Sequence, residues 1–143
     1  MNQQAHPFHR LAYVSKALID PCGSAPREIL DIATQRNTVL GVTGVLCFTG
    51  DHFAQVLEGD ERALAQLMDS IRRDPRHQLL REWPPEAAAD ARWFDQWAMG
   101  YAYDHRVDKL VADLVRPSLT RPPFQEFARR LCSQLKLYRG HDR

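Results

Sequence analysis

The protein has 143 residues, of which 44% are hydrophobic and 26% charged, and this is the size and composition of one globular domain. Its 19 Lys and Arg residues nearly balance 18 Asp and Glu residues, so the charge argues against partners such as nucleic acid or an anionic membrane. The N-terminus lacks a signal-peptide core, no apolar run is long enough to span a bilayer, and the cysteines (Cys22, Cys47 and Cys132) fit free thiols, which together predict a cytoplasmic location.

The first half of the chain shows strand and helix patterns separated by turn residues. In chain order these patterns predict a strand at 8–17, a helix from about 25 to 36, strands at 39–48 and 53–58 joined by a hairpin, and a helix that ends before Asp74. Pro26 falls in the first turn of the first helix, where its missing N–H costs no hydrogen bond. Asp60 is expected to cap the second helix.

The second half predicts two more strands and two helices. The strands are expected at 76–83 and 93–103, and in the latter Trp97, Met99 and Tyr101 share a face. The order βαββαββ predicts an α+β, ferredoxin-like sandwich, with a mixed sheet and both helices on one face. Two apolar stripes, at 107–115 and 124–135, predict C-terminal helices that cover the opposite face or serve a homo-oligomer. We therefore expect a domain at 1–103 and a helical extension, a cap or output element, at 104–143.

Two polar residues of the predicted strands do not fit a plain core. Gln55 shares a face with Phe53 and Leu57, and a buried amide without partners costs about 1–3 kcal/mol. Either a neighbouring backbone group or a ligand must satisfy it. Tyr13 lies on the same face as Ser15 and, taken alone, is typical of a core tyrosine whose hydroxyl reaches the edge.

Other candidates also have ordinary interpretations. Asn37 follows the predicted first helix and is suited to a C-terminal cap, while Trp97 and Met99 fit a core stripe. His77 has no second metal ligand at helical or hairpin spacing, so no metal site is predicted. The chain also lacks GxSxG, GxxxxGK[ST], GxGxxG and HExxH, and no catalytic residues are predicted.

Taken together, these residues resemble the motifs of BLUF domains, which are blue-light sensors that use flavin. Over residues 9–103 the motifs occur in the family's order: Y-x-S at Tyr13-Val14-Ser15, N-x5-TG from Asn37 to Thr43-Gly44, F-x-Q-x-LEG from Phe53 to Gly59, D-x-R-H from Asp74 to His77, and W-x-M from Trp97 to Met99. Each pattern is common by itself, but five of them in register are specific.

The resemblance implies a flavin, FAD or FMN, held between the two helices over the sheet, with Asn37 and Gln55 bonding the ring. It implies further cofactor contacts from Tyr13, Ile29, Asp74, Arg76 and His77. Arg36 stands where relatives often carry Asn or His, so its contact is left open. The resemblance also implies a photoreaction in which Tyr13 gives up an electron and a proton through Gln55. Gln55 is left rearranged by rotation, tautomerisation or both, with Ser15, Trp97 and Met99 nearby.

The sequence thus predicts a blue-light photoreceptor and not an enzyme. A flavin-dependent enzyme is the first alternative, and the missing substrate-site motif and the short chain argue against it. A flavin-free, ferredoxin-like interaction domain is the second, and it would take up no flavin. About 40 residues follow Tyr103, too few for a cyclase or phosphodiesterase domain, so the signal is expected to pass to a separate protein or to another copy of the chain.

Overall fold

The computed structural model describes residues 8–88, 91–94, 99–103 and 108–114, together with residues 126, 129 and 131. Its elements are, in chain order, β1 (His9–Ala17), α1 (Ala25–Leu40), β2 (Thr43–Phe48), β3 (His52–Gly59), α2 (Glu61–Arg73), β4 (His77–Ala87), β5 (Gly100–Tyr103) and α3 (Asp108–Leu114). This confirms the predicted order βαββαββ. Residues 126, 129 and 131 are helical, and the remainder of the second C-terminal stripe lies outside the described residues. None of the helices described is both long and apolar enough to cross a membrane.

The strands form one sheet in the order β4-β1-β3-β2-β5. β1 pairs antiparallel with both β3 and β4, and β2 pairs antiparallel with β3 but parallel with β5, so the predicted mixed sheet is confirmed. The β1–β3 register places Tyr13 directly opposite Gln55, and the β2–β3 register places Leu46 on the other side of Gln55. Two residues that are 42 positions apart are thereby cross-strand neighbours at the centre of the sheet.

Helix α1 is longer than the sequence pattern predicted. It continues to Leu40 and ends at Gly41, which adopts the left-handed conformation (φ 68°) that a glycine reaches without a Cβ penalty. The predicted end near Arg36 was wrong, and so was the strand predicted to start at Val39, because Val39 lies in the helix with its side chain exposed. Asn37 is inside α1, so its interpretation as a C-terminal cap was also wrong.

Helix α2 matches its prediction closely. The side chain of Asp60 accepts the backbone N–H of Arg62 at 3.1 Å, which confirms the predicted N-terminal cap. Its buried residues lie on one stripe and pack against Leu11, Tyr13 and Leu57 of the sheet; they are Ala63, Leu64, Leu67, Met68 and Ile71. This stripe fixes α2 over β1 and β3.

The last two strands differ from the prediction at their ends. β4 continues through Pro84 and Pro85 to Ala87, which a sheet tolerates because β4 is an edge strand. β5 is limited to Gly100–Tyr103, and the strand predicted from residue 93 was wrong at Trp93 and Phe94. The backbone N–H groups of both residues donate to the carboxylate of Glu58 and not to a neighbouring strand.

The sheet has a different partner on each face. The face under α1 and α2 carries Leu11, Tyr13 and Leu57 in one cluster and Leu46, Phe48 and Phe53 in another. The opposite face carries an apolar cluster that is buried together with residues from the C-terminal part of the chain; the cluster is Ala12, Val14, Val45, Cys47, Ala54, Val56, Trp83, Phe94, Val111 and Leu131. Val111 and Leu131 come from the two predicted C-terminal stripes, which agrees with their covering this face.

Gly44, from the N-x5-TG pattern, has a structural reason to be glycine. A Cβ at this position would lie 2.3 Å from the carbonyl oxygen of Val56, which is backbone and cannot move aside. The absence of a side chain therefore allows β2 to approach closely to β3, the strand that carries Gln55.

Candidate functional site

A cavity lies between α1 and α2, with the sheet as its floor. Its lining residues are Tyr13, Ile29, Ile32, Ala33, Arg36, Leu46, Phe53, Gln55, Ser70, Ile71, Asp74, Arg76 and His77. Apolar side chains thus form the walls, while titratable and amide groups lie at the floor and at one end.

Tyr13 and Gln55 are hydrogen-bonded to each other at the floor of the cavity. The Tyr13 hydroxyl donates to Gln55 Oε1, and both side chains are buried. Gln55 Nε2 donates to the sulfur of Met99 at 3.5 Å, just before β5 begins. The orientation of one amide therefore determines both contacts, because rotating it by half a turn would place the Nε2 donor toward Tyr13 and the Oε1 acceptor toward Met99.

The protonation of Tyr13 follows from its surroundings. Burial raises the pKa of the phenol well above its usual range; the charge of Arg36 opposes that rise, and the carboxylate of Asp74 adds to it. Tyr13 therefore remains a neutral phenol at physiological pH and is a hydrogen-bond donor to Gln55. Any oxidation of this side chain must release its proton together with the electron.

His77 fixes the wall of the cavity beside Tyr13. Its Nε2 lies 2.8 Å from the carbonyl oxygen of Ile71 and must donate there, which leaves Nδ1 to accept the hydroxyl of Ser15 at 2.7 Å when the ring is neutral. The imidazole also meets the rings of Tyr13 and Phe53 edge-on, with centroids 5.9 and 6.2 Å apart. Ser15 is thus placed behind the cavity and positions one of its lining residues.

The charged end of the cavity contains an ion pair and a guanidinium with one buried nitrogen that is unpaired among the described residues. Arg76 Nε and Nη2 donate to the two carboxylate oxygens of Asp74 at 2.9 and 2.7 Å, and these bonds hold the pKa of the Asp74 carboxyl below its usual range. Arg36 Nε is buried and has no hydrogen-bond partner among the residues that the structure describes. A buried donor of this kind calls for an acceptor inside the cavity.

Most of the predicted site residues come together in this one place. Those that line the cavity are Tyr13, Ile29, Arg36, Gln55, Asp74, Arg76 and His77. Met99 and Ser15 contact lining residues from outside it. Asn37 is 1% exposed within α1 and does not line the cavity as the described residues form it, so its bond to a ring stays a prediction. Trp97 lies outside the described residues.

Sequence reasoning missed several apolar and small residues of the walls. Ile32, Ala33 and Ser70 face the cavity from the two helices, and Leu46 and Phe53 do so from the sheet. The helical spacing of Ile29, Ile32 and Ala33 was visible as an apolar stripe, but an apolar stripe has the same pattern whether it covers a core or a ligand. Ile32 is half-exposed, which distinguishes it from a core residue only once the fold is known.

The residues present fit a planar group with one polar edge. Ile29 and Phe53 provide apolar walls, Gln55 and Tyr13 provide an adjustable hydrogen-bonding floor, and Arg36 provides an unused buried donor. Such a combination of apolar walls and few convergent polar groups is typical of cofactor sites.

The comparison with known families agrees with this geometry. Residues 8–100 match the family model described as BLUF, sensors of blue-light using FAD. The chain belongs to the BLUF family. It is accordingly a flavin-binding blue-light sensor domain, and the expected fold and cofactor class are confirmed. Flavins are planar rings with a polar edge, which is the type of group that the cavity fits.

Among solved structures, BlrB, a BLUF protein in its dark state, is similar to 90% of this chain and 98% of its own, with a TM-score of 0.71 and 31% identity. The blue light- and temperature-regulated antirepressor BluF of Escherichia coli (strain K12) is 42% identical over 62 residues, which cover 41% of this chain and 15% of that protein. The photoactivated adenylate cyclase subunit beta of Euglena gracilis is 36% identical over 104 residues, which cover 68% of this chain and 12% of the relative. The chain therefore matches only a small part of these two longer proteins.

Proposed function

We propose that this BLUF domain senses blue light through Tyr13, Gln55 and Met99 and passes the signal to a separate protein. The observation that carries the proposal is the chain of hydrogen bonds from Tyr13 to Gln55 Oε1 and from Gln55 Nε2 to Met99, at the floor of a cavity whose lining residues suit a flavin. Both ends of one amide are engaged, so its orientation is a two-state element of the type that a sensor needs.

Several residues are proposed to hold the cofactor, FAD or FMN. Ile29 would pack on the ring, and Arg36 and Asn37 would bond its polar edge. The Asp74–Arg76 pair and His77 lie at one end of the cavity and would hold the ribityl or phosphate groups of a bound flavin. Bound flavin supplies the absorption of blue light and, when excited, an acceptor for one electron.

The contribution of the protein is the movement of one proton and one amide. Tyr13 is neutral and buried, so it releases an electron only with its proton, and Gln55 Oε1 is the atom placed to receive that proton. When electron and proton return to Tyr13, Gln55 settles in a different orientation or tautomer. The changed hydrogen bonds of Gln55 then alter its contact with Met99, immediately before β5. The exchange of one buried hydrogen bond is worth about 1–2 kcal/mol, enough to bias a two-state element.

We further propose that the protein is a sensor and not an enzyme, that it acts in the cytoplasm, and that it forms a homo-oligomer. Its output is proposed to pass through β5 to the C-terminal helical residues, because Val111 and Leu131 are buried on the sheet face opposite the cavity. The relatives support a separate or appended effector, since one is named an antirepressor and another a subunit of a photoactivated adenylate cyclase.

Absorption spectra before and after blue illumination test the photochemical part. We expect the FAD-loaded protein to show a small, reversible red shift, and Gln55→Leu to bind FAD without that shift, because leucine keeps the volume but removes both hydrogen bonds. A Gln55→Leu variant whose absorption shifts with the wild-type amplitude would contradict the role of the amide. Amide exchange in darkness and in continuous light tests the output, with altered protection expected within 97–135. Identical exchange across that range in a photocycling protein would contradict it.

A further inference from the structure

A buried ion pair lies on the sheet face opposite the cavity. Arg10 on β1 and Glu58 on β3 are cross-strand neighbours, and their side chains are only 2% and 0% exposed. Arg10 Nε and Nη2 both donate to Glu58 Oε2, at 2.9 and 2.8 Å. The stability of such a pair is limited, because the cost of removing two charges from water offsets their attraction. Its surroundings indicate what else it does.

The ion pair holds the segment 91–94. Besides the bonds from Arg10, the carboxylate of Glu58 accepts the backbone N–H groups of Trp93 at 2.7 Å and Phe94 at 2.9 Å. Arg10 Nη2 donates to the carbonyl oxygen of Ala91 at 3.2 Å, and the guanidinium lies 3.7 Å from the centre of the Trp93 ring. The segment therefore takes its position from two side chains of the central strands.

Arg92 attaches the same segment from its more exposed side. Arg92 Nη1 donates to the carbonyl oxygen of Gly41 at 3.0 Å and to Thr43 Oγ1 at 3.1 Å. The hydroxyl of Thr43 in turn donates to Glu58 Oε1 at 3.3 Å. All four residues from Ala91 to Phe94 are thus tied, directly or through one side chain, to the Arg10–Glu58 pair or its immediate neighbours.

The held segment lies close in sequence to Met99, the partner of the Gln55 amide. Met99 follows Phe94 by five residues, and its sulfur accepts the amide hydrogen of Gln55. Gln55 and Glu58 lie three positions apart on β3, so their side chains face opposite sides of the sheet. Strand β3 therefore carries both Gln55, whose amide is proposed to rearrange, and Glu58, whose carboxylate anchors the segment that precedes Met99.

We propose that Glu58, with Arg10, is a positioning residue that keeps the Met99 sulfur within reach of Gln55 and so biases which arrangement the amide adopts. This inference rests on the role proposed above for Gln55. The arrangement in the structure is taken as the dark state. Loss of the Glu58 anchor then weakens the contact between Gln55 and Met99, which favours the return of the amide to its dark arrangement after illumination. The return to the dark state is then slowed.

Two variants of the whole, FAD-loaded chain separate positioning from general loss of stability. Glu58→Gln keeps the size of the side chain but puts an NH2 group where only donors converge, so Trp93, Phe94 or Arg10 loses its acceptor. Val56→Ala is the matched control, because Val56 is buried on the same strand and the same face and its side chain makes no hydrogen bond.

We expect the dark return of Glu58→Gln to be at least fivefold slower than that of Val56→Ala, which corresponds to about 1 kcal/mol in the barrier. When Met99→Leu is added to both variants, their dark-return rates should differ by less than twofold, because leucine offers no sulfur to position. Amide exchange at Trp93 and Phe94 should accelerate in Glu58→Gln but not in Val56→Ala, with flavin present or removed. This last measurement does not depend on the photocycle.

The proposal would be overturned if Glu58→Gln returns to the dark state faster than Val56→Ala, or more slowly by less than fivefold. It would also be overturned if a fivefold difference persists in the Met99→Leu background. If Glu58→Gln does not fold, Arg92→Ala takes its place, with an expected slowing of at least twofold that Met99→Leu abolishes; an unchanged rate would overturn the proposal equally. Wild-type protein that binds FAD without any reversible red shift would instead contradict the proposed photoreaction, and this inference with it. A normal wild-type shift with an unaffected variant contradicts the positioning role alone.

Discussion

Replacing Arg36 with glutamine tests whether the cavity holds a group whose polar edge lies beside Tyr13. The Nε atom of Arg36 is buried without a partner among the described residues, and the charge of this side chain lowers the pKa of the Tyr13 phenol against the larger effect of burial. A hydrogen bond to a charged group is worth about 1.5–3 kcal/mol. The dissociation constant for flavin should therefore rise by about 10- to 150-fold in Arg36→Gln.

The assay is a titration of the flavin-free protein with riboflavin, FMN and FAD. Because the charge of Arg36 acts on Tyr13, we expect Arg36 to contact the flavin ring. The three flavins should then lose affinity by similar factors. A loss confined to FMN and FAD would place Arg36 at the phosphate groups instead. Arg27→Gln is the matched control, since Arg27 is on the same helix, is 79% exposed and does not line the cavity. Equal dissociation constants for Arg36→Gln and the wild type would refute the reasoning.

Three further substitutions have expected outcomes. Asn37→Ala should weaken flavin binding by about 5- to 150-fold while the bound fraction still photocycles, and an unchanged dissociation constant would contradict this. Because Arg76 holds the pKa of Asp74 below its usual range, the stabilisation from this pair is complete above about pH 4 and is lost as the pH falls through the folded-state pKa. The difference in unfolding free energy between wild type and Asp74→Asn should thus be constant at about pH 5–8 and shrink below about pH 4; a gap that widens in acid would argue against it. Gly44→Ala should cost about 1–3 kcal/mol or more in urea unfolding, since its Cβ would lie 2.3 Å from the Val56 carbonyl oxygen, and wild-type stability would rule this clash out.

The order and type of the elements were predictable from the sequence, but several ends were not. Val39 and Leu40 have the composition of a strand, yet α1 continues through them to Gly41, the first residue that takes a left-handed conformation without strain. Trp93 and Phe94 likewise have strand-like side chains, but their backbone N–H groups are satisfied by a carboxylate 35 and 36 residues earlier in the chain. A partner that distant leaves no mark in the local pattern.

The candidate site was only partly predictable from the sequence. Gln55 stood out because an amide on an apolar strand face needs a partner, and the structure provides Tyr13 and Met99 on either side of it. Arg10 and Glu58 were not singled out by this reasoning, because charged residues near strand ends are usually solvated. Their pairing depends on the β1–β3 register, which the hydrophobic pattern does not determine by itself.

The reversible light-induced red shift of Tyr13→Phe, measured at full FAD occupancy beside the wild type, tests the central claim most directly. Phenylalanine keeps the ring that packs in the cavity floor and removes only the hydroxyl that donates to Gln55. We predict that the variant binds FAD and shows no reversible shift, because no side chain at this position can then supply the electron and proton together. A Tyr13→Phe protein that shifts and recovers with the wild-type amplitude would contradict the proposed role of Tyr13.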